Sequence, residues 1–150
     1  LKEQNIFDDT LLVFTADNGI SPRADIAEIN NAGHFPSNGF RGRKADIYEG
    51  GHRVPYIVTW PNGGVKAASI TNQTICSTDM LATLADILGK KLPDNAGEDS
   101  YSKLPLLLGK PYDFARPATV HHSINGSFAI RQGDVSPEPR DIAGYGGNRS

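Results

Sequence analysis

The chain reads as an α/β protein, on three observations: two short apolar segments that end in turn residues, one amphipathic helix, and a closing hairpin. The first apolar segment, Leu11–Phe14, follows polar Asp8, Asp9 and Thr10 and is stopped by Asn18-Gly19, a strong turn dipeptide. This predicts a buried strand that delivers Asp17 and Asn18 to its carboxyl end. In open α/β sheets ligands bind at that end, because the strands hold their last residues firmly while the loops diverge. The second segment, Val54–Trp60, predicts another buried strand, with Pro55 tolerated near its start and Pro61–Gly64 as the turn that ends it.

A helix follows. Ser77 or Thr78 is placed to cap it, and Met80, Leu81, Leu84, Ala85, Ile87 and Leu88 form a broad apolar face expected to cover the sheet. Gly89 supplies the stop. Asp79 falls in the first turn, where a carboxylate suits the helix dipole, and is read as structural. Farther on, Ala118–Val120 and Ser127–Ile130 predict an antiparallel hairpin with His121 and His122 in its loop. The sequence holds no internal repeat or heptad, and after Asp134 it turns Pro- and Gly-rich and loses apolar periodicity, so residues 135–150 are expected to be a disordered or aberrant tail.

Asp17 and Asn18 are also ordinary turn residues, and a turn alone would account for them. Their carboxylate and amide oxygens are nonetheless the hard donors that Ca²⁺ prefers, although such an ion takes roughly 6–8 oxygens and two side chains leave that set incomplete. No EF-hand loop, His-x-x-x-His or Cys-x-x-Cys pair occurs to complete it. A cationic stretch then brings Arg41, Arg43 and Lys44 together near His34, His52 and Arg53, in a chain of net charge −2. Basic charge concentrated in one loop of a slightly acidic chain excludes the extended basic face of a nucleic-acid binder and suits a small anion. Arg43 and Arg53 are adequately explained as solvated surface charge. Lys44 sits in a glycine-flanked loop that lets a ligand approach the backbone closely.

Taken in order, Thr15–Gly19, Arg41–Lys44, Tyr48–Pro55 and Trp60-Pro61 resemble the C-terminal half of sulfatases of the arylsulfatase type, within the alkaline-phosphatase-like superfamily. The resemblance extends from about Asp8 to Asp134. It implies that Asp17 and Asn18 complete a Ca²⁺ site and that Lys44 binds the sulfate group. It also implies a formylglycine nucleophile made from a Cys/Ser-x-Pro-x-Arg motif. The chemistry agrees: sulfuryl transfer develops charge on peripheral oxygens, which a divalent cation and a fixed ammonium stabilise. His34 is a candidate for hydrogen bonding to a sulfated sugar or for general acid catalysis, with an exposed loop histidine as the plain alternative. His121 and His122 are candidates for substrate contact.

The sequence departs from the family in one respect: neither form of the nucleophile motif occurs in its 150 residues. Cys76 lacks the flanking proline and arginine and reads as a small packing residue. The chain therefore looks like a fragment of a larger enzyme, with the formylglycine and the remaining Ca²⁺ ligands outside it. Residues 1–95 are expected to belong to the catalytic α/β domain, within the alkaline-phosphatase-like sandwich. Residues 96–134 are expected to form a small antiparallel C-terminal subdomain.

The implied substrates are sulfated small molecules or sulfated glycans. Phosphodiester or phosphonate hydrolysis within the same superfamily is the enzymatic alternative, and an inactive anion- or glycan-binding remnant is the non-enzymatic one. There is no apolar run near the roughly 18 residues a membrane span needs. The compartment is left open: the true N-terminus is expected to lie before Leu1, so the missing targeting segment says nothing, a single cysteine favours neither redox environment, and family members are often periplasmic, extracellular or lysosomal. Asn72, Asn125 and Asn148 begin glycosylation sequons, which matter only in a eukaryotic secretory pathway.

Overall fold

The computed structural model describes residues 1–114 and 116–132, so the tail expectation for residues 135–150 lies outside the described residues. The elements run β1 (Leu12–Thr15), α1 (Ile26–Asn31), α2 (Glu49–His52), β2 (Tyr56–Thr59), α3 (Asp79–Ile87), α4 (Leu104–Leu107), β3 (Thr119–His122) and β4 (Phe128–Arg131). Strands and helices alternate through the chain, as an α/β protein requires, with β1 paired to β2 and β3 paired to β4 in separate two-stranded sheets. Two compact units are distinguished: the first comprises Leu1–Val13 and Ile57–Arg116, and the second Phe14–Tyr56 with the hairpin that follows Pro117.

Both expected strands form, but neither is buried. Phe14 is 64 % exposed, Ile57 is also exposed, and among the described residues no apolar side chain is fully buried. A sheet buries its faces only against a further packed layer, and here the apolar residues that suit a sheet interior remain open to solvent.

In the first unit, order comes from polar groups. Helix α3 matches the expected span, yet Thr78 does not cap it with its side chain. Instead Ser100 Oγ accepts from the Ala82 backbone N–H at 2.9 Å, while its hydroxyl donates to Thr78 O at 2.7 Å. The apolar face expected to be core is only partly covered, with Leu81, Leu84 and Leu88 exposed. The fully enclosed side of the helix is the one bearing Asp79 and Thr83.

Asp79 is 1 % exposed. Its Oδ2 accepts from the Cys76 N–H at 2.9 Å, its Oδ1 from the Tyr101 N–H at 3.0 Å, and Lys103 Nζ stands 3.7 Å away. Arg116 Nη2 also donates to Oδ1. Buried charge is tolerated when it is paired and its lone pairs are filled, as they are here.

In the second unit, α1 is an element the sequence analysis leaves unassigned. Six residues are too few for a convincing period, yet its ends are well specified. Asp25 Oδ1 accepts from the Glu28 N–H at 3.0 Å, and the helix closes with Gly33 N–H to Asn30 O and His34 N–H to Ile29 O, with Gly33 at φ +80°. This is a Schellman ending, in which glycine adopts the left-handed conformation without penalty.

The hairpin forms as expected, with His121 opposite Ala129 and His122 opposite Phe128. The correction is that both histidines lie on β3 rather than in the loop. The reversal is tighter than the apolar pattern suggests, because the Ser123 N–H donates to Ser127 O at 2.9 Å and Ser123 Oγ accepts from the Ser127 N–H at 3.1 Å.

Candidate functional site

Every residue singled out for function lies in the second unit. The turn after β1 and the loop carrying Lys44 are joined through backbone atoms: Lys44 N–H donates to Ile20 O at 3.0 Å, and Gly19 N–H donates to Gly51 O at 2.9 Å. Gly50 N–H donates to Arg41 O at 2.8 Å, which fastens α2 to the cationic loop as well. Three glycines make this closeness possible. A Cβ at Gly19 would overlap the carbonyl oxygen of Gly50, one at Gly50 that of Gly42, and one at Gly51 those of Asp46 and Arg43.

This backbone stitching sets Asp17, Asn18 and Lys44 on neighbouring loops while using none of their charged groups. Asp17 and Lys44 are exposed, and among the described residues neither the carboxylate nor the ammonium has a hydrogen bond or ion pair. Asn18 is half-buried and its Nδ2 donates to Gly19 O at 3.0 Å, which fixes the amide and leaves its oxygen available as a donor to a cation. Among the described residues no group of three His, Cys, Asp or Glu side chains is positioned to hold a metal. Asp17 and Asn18 thus suit part of a Ca²⁺ site and cannot supply all of it.

His34 is exposed immediately beyond α1, between Asn30 and Phe35. Those two residues line a cavity of about 570 Å³ that is also bordered by Phe40, Arg41, Arg43 and Tyr48. His122 is exposed on β3 with its ring stacked on Phe128 at 4.5 Å.

His121 belongs to a cluster that sequence reasoning misses. Its ring lies 3.7 Å from that of His52, inclined by 15°. Glu49 accepts from Arg53 at 3.0 Å and pairs with Arg131 at 3.2 Å and with His52 at 3.4 Å. Partial burial pushes the Glu49 carboxyl up, but Arg131, the hydrogen bond from Arg53 and the nearby His52 outweigh it and hold the group below its usual range.

Burial lowers His52 despite the attraction of Glu49. Burial, then the proximity of His52 and Arg131, brings His121 down to about 4. The paired glycines after Glu49 are the available signal, since a Gly-Gly pair within a helix marks a close backbone approach. The far partners His121 and Arg131 leave none.

The described residues thus combine mixed α/β secondary structure with carboxylate, amide and ammonium groups on adjoining loops beyond β1. A family model described as Sulfatase matches residues 1–90, and the chain belongs to the sulfatase family. It is 37 % identical over 139 residues to an N-acetylgalactosamine-6-O-sulfatase of Bacteroides thetaiotaomicron, a match covering 89 % of this chain and 26 % of that protein. It is 34 % identical over 132 residues to arylsulfatase A of Homo sapiens, covering 85 % of this chain and 24 % of that one.

A solved structure from work on the metabolism of multiple glycosaminoglycans by Bacteroides thetaiotaomicron superposes with a TM-score of 0.76 at 36 % identity. That match covers 88 % of this chain and 28 % of the solved one. The chain therefore spans about a quarter of the length of these relatives.

Proposed function

We propose that this chain supplies the anion-binding and part of the cation-binding machinery of a sulfuric ester hydrolase. The observation that carries the reading is the backbone stitching of Gly19 to Gly51 and of Ile20 to Lys44. It holds an oxygen-donor pair and an ammonium on adjoining loops with their functional groups free. The sulfatase names of the relatives support the same reading.

In this reading β1 and β2 are strands of an alkaline-phosphatase-like main sheet with α3 covering it. Residues 1–95 belong to the catalytic domain, and β3–β4 belongs to a small C-terminal subdomain spanning residues 96–134. Asp17 and Asn18 hold Ca²⁺, which when bound supplies positive charge to the sulfuryl oxygens. Lys44 orients the sulfate and, because its loop is fixed before substrate arrives, stabilises the charge that grows on the peripheral oxygens without reorganising. His34 hydrogen-bonds the group that bears the sulfate or gives it a proton as it leaves. The attacking formylglycine is not encoded among these residues.

The substrate class is sulfated, and a sulfated glycan is favoured by the relatives named for N-acetylgalactosamine sulfate and glycosaminoglycans. The test is a comparison of turnover of aryl sulfate and aryl phosphate esters by the enzyme that carries this chain. Preference for the sulfate ester is expected. Faster phosphate cleavage would replace the sulfatase reading by phosphoester hydrolysis.

A further inference from the structure

The sequence holds four Asn-Gly pairs, at Asn18, Asn38, Asn62 and Asn125. In such a pair the glycine backbone nitrogen can approach the side-chain carbonyl carbon of the asparagine with no Cβ in the way. Three of the four are restrained. The Gly19 N–H donates to Gly51 O at 2.9 Å and the Gly126 N–H to Ser123 O at 3.1 Å, so both of these nitrogens are engaged by carbonyls. At the third pair Asn62 Nδ2 donates to Asp9 Oδ1 at 2.7 Å, which holds the side-chain amide. A Cβ at Gly63 would also overlap the Trp60 ring, so that glycine is crowded.

Asn38-Gly39 differs on every count. The Asn38 N–H donates to Phe35 O at 2.8 Å and the Phe40 N–H to Ser37 O at 2.8 Å, two turns that fix the residues on either side and pass over the Gly39 N–H. Among the described residues neither that N–H nor the Asn38 side-chain amide has a hydrogen bond. Both residues are exposed, and a Cβ at Gly39 would meet nothing within 4 Å. Their φ values are +47° and +79°, the left-handed region that Asn and Gly tolerate best.

We propose that Asn38 is a modification site, at which the chain deamidates itself with water as the co-reactant. The Gly39 nitrogen attacks Asn38 Cγ, the new C–N bond closes a succinimide ring, and the Cγ–Nδ2 bond breaks. Ammonia leaves with the proton that Gly39 gives up. Water then opens the ring at either carbonyl, yielding aspartate or an isoaspartate whose main chain runs through the former side chain. Residues 34–44 contain Arg41, Arg43 and Lys44 and no acid, so the new carboxylate lowers the formal charge of that stretch from +3 to +2. No ligand takes part, and the modification is independent of the sulfate-ester reading above.

The test is to incubate the enzyme that carries this chain at mildly alkaline pH and map its peptides by mass, following the exchange of –NH₂ for –OH at each pair. Conversion at Asn38 is expected to run at least about tenfold faster than at Asn18, Asn62 or Asn125, the rate equivalent of one hydrogen bond that must break before attack. Hydroxylamine, which opens the succinimide with chain cleavage, should release a fragment ending at residue 38, and Asn38→Gln should abolish that cut. In urea the four pairs should convert at similar rates, because only the fold distinguishes them. An Asn38 that stays intact while any of the other three converts overturns the proposal. So does a ranking that is the same in urea as in the folded enzyme, or a hydroxylamine cut that survives in Asn38→Gln.

Discussion

Two regions of the molecule solve the problem of order in opposite ways. Around Asp79 in the first unit, side-chain charge does the holding: one enclosed carboxylate collects Lys103, Arg116 and two backbone N–H groups. Around Gly19, Gly50 and Gly51 in the second unit, the backbone does it, and the charged side chains of Asp17 and Lys44 are exposed with no internal partner among the described residues. The difference teaches where to look for function. A charged group surrounded by its own protein is committed to structure, whereas a charged group on a rigid loop with nothing to pair with is available to a ligand.

The comparison breaks first at Asp79. Asp79→Ala leaves Lys103 and Arg116 facing each other without their shared anion, and the expected loss is about 3–5 kcal/mol of stability in the first unit, read by urea unfolding. A loss under about 1 kcal/mol would mean that the carboxylate does not hold that unit together. Lys44→Ala should do the reverse. Rate on a sulfate ester is expected to fall by about 10²–10³, as when an oxyanion donor is removed, with stability changed by no more than about 0.5 kcal/mol. Lys44→Arg should not restore the rate, because a planar fork does not replace a compact ammonium. If Lys44→Ala instead destabilises the chain strongly, the division between structural and available charge fails.

Gly19→Ala sharpens the same contrast from the backbone side. The added methyl must displace Gly50 or move the turn, and overpacking of this kind costs about 1–3 kcal/mol. Since Asn18 precedes the displaced residue, Ca²⁺ affinity of the enzyme that carries this chain should fall as well. Equal Ca²⁺ affinity in variant and parent would show that the turn does not position the donor pair.

Much of this contrast is legible in the amino-acid order itself. An apolar run followed by Asp-Asn-Gly announces a strand delivering oxygen donors to a turn, and the chain places Asp17 and Asn18 just beyond β1. The alternation around Ala118 and Phe128 announces the hairpin. Its register is not legible, because the serine bonds that tighten the reversal pull His121 and His122 into β3. From its neighbours Asp79 reads only as a first-turn carboxylate, since Lys103 and Arg116 lie far along the chain and nothing local signals them. The aromatic cleft is hidden for the same reason: Phe35, Phe40 and Tyr48 have no common periodicity, and α1 on its border is too short to show one.

The smallest expected effect lies between the two extremes, in the stacked pair His52 and His121, where partly buried side chains dock the hairpin through titratable groups. Burial, His52 and Arg131 hold His121 near 4, while Glu49 opposes them. An unfolded imidazole takes its proton near pH 6.5, so between about pH 6.5 and 4 the unfolded chain binds protons that the docked hairpin refuses. Stability is therefore full above that window and falls as the pH drops through it. Glu49 itself is held below its usual range by Arg131, Arg53 and His52, so its ion pairs persist through most of the same interval, and its own contribution is lost only as the pH falls past the ordinary carboxylate range, in the same direction as that of His121. Thermal unfolding at about pH 7.5 and 5.5 should show a Tm lower by a few degrees at the acid value. In His121→Phe, which keeps a flat ring against His52 without the titrating nitrogen, that pH difference should shrink. A difference as large as the parent's would place the sensitivity in other groups.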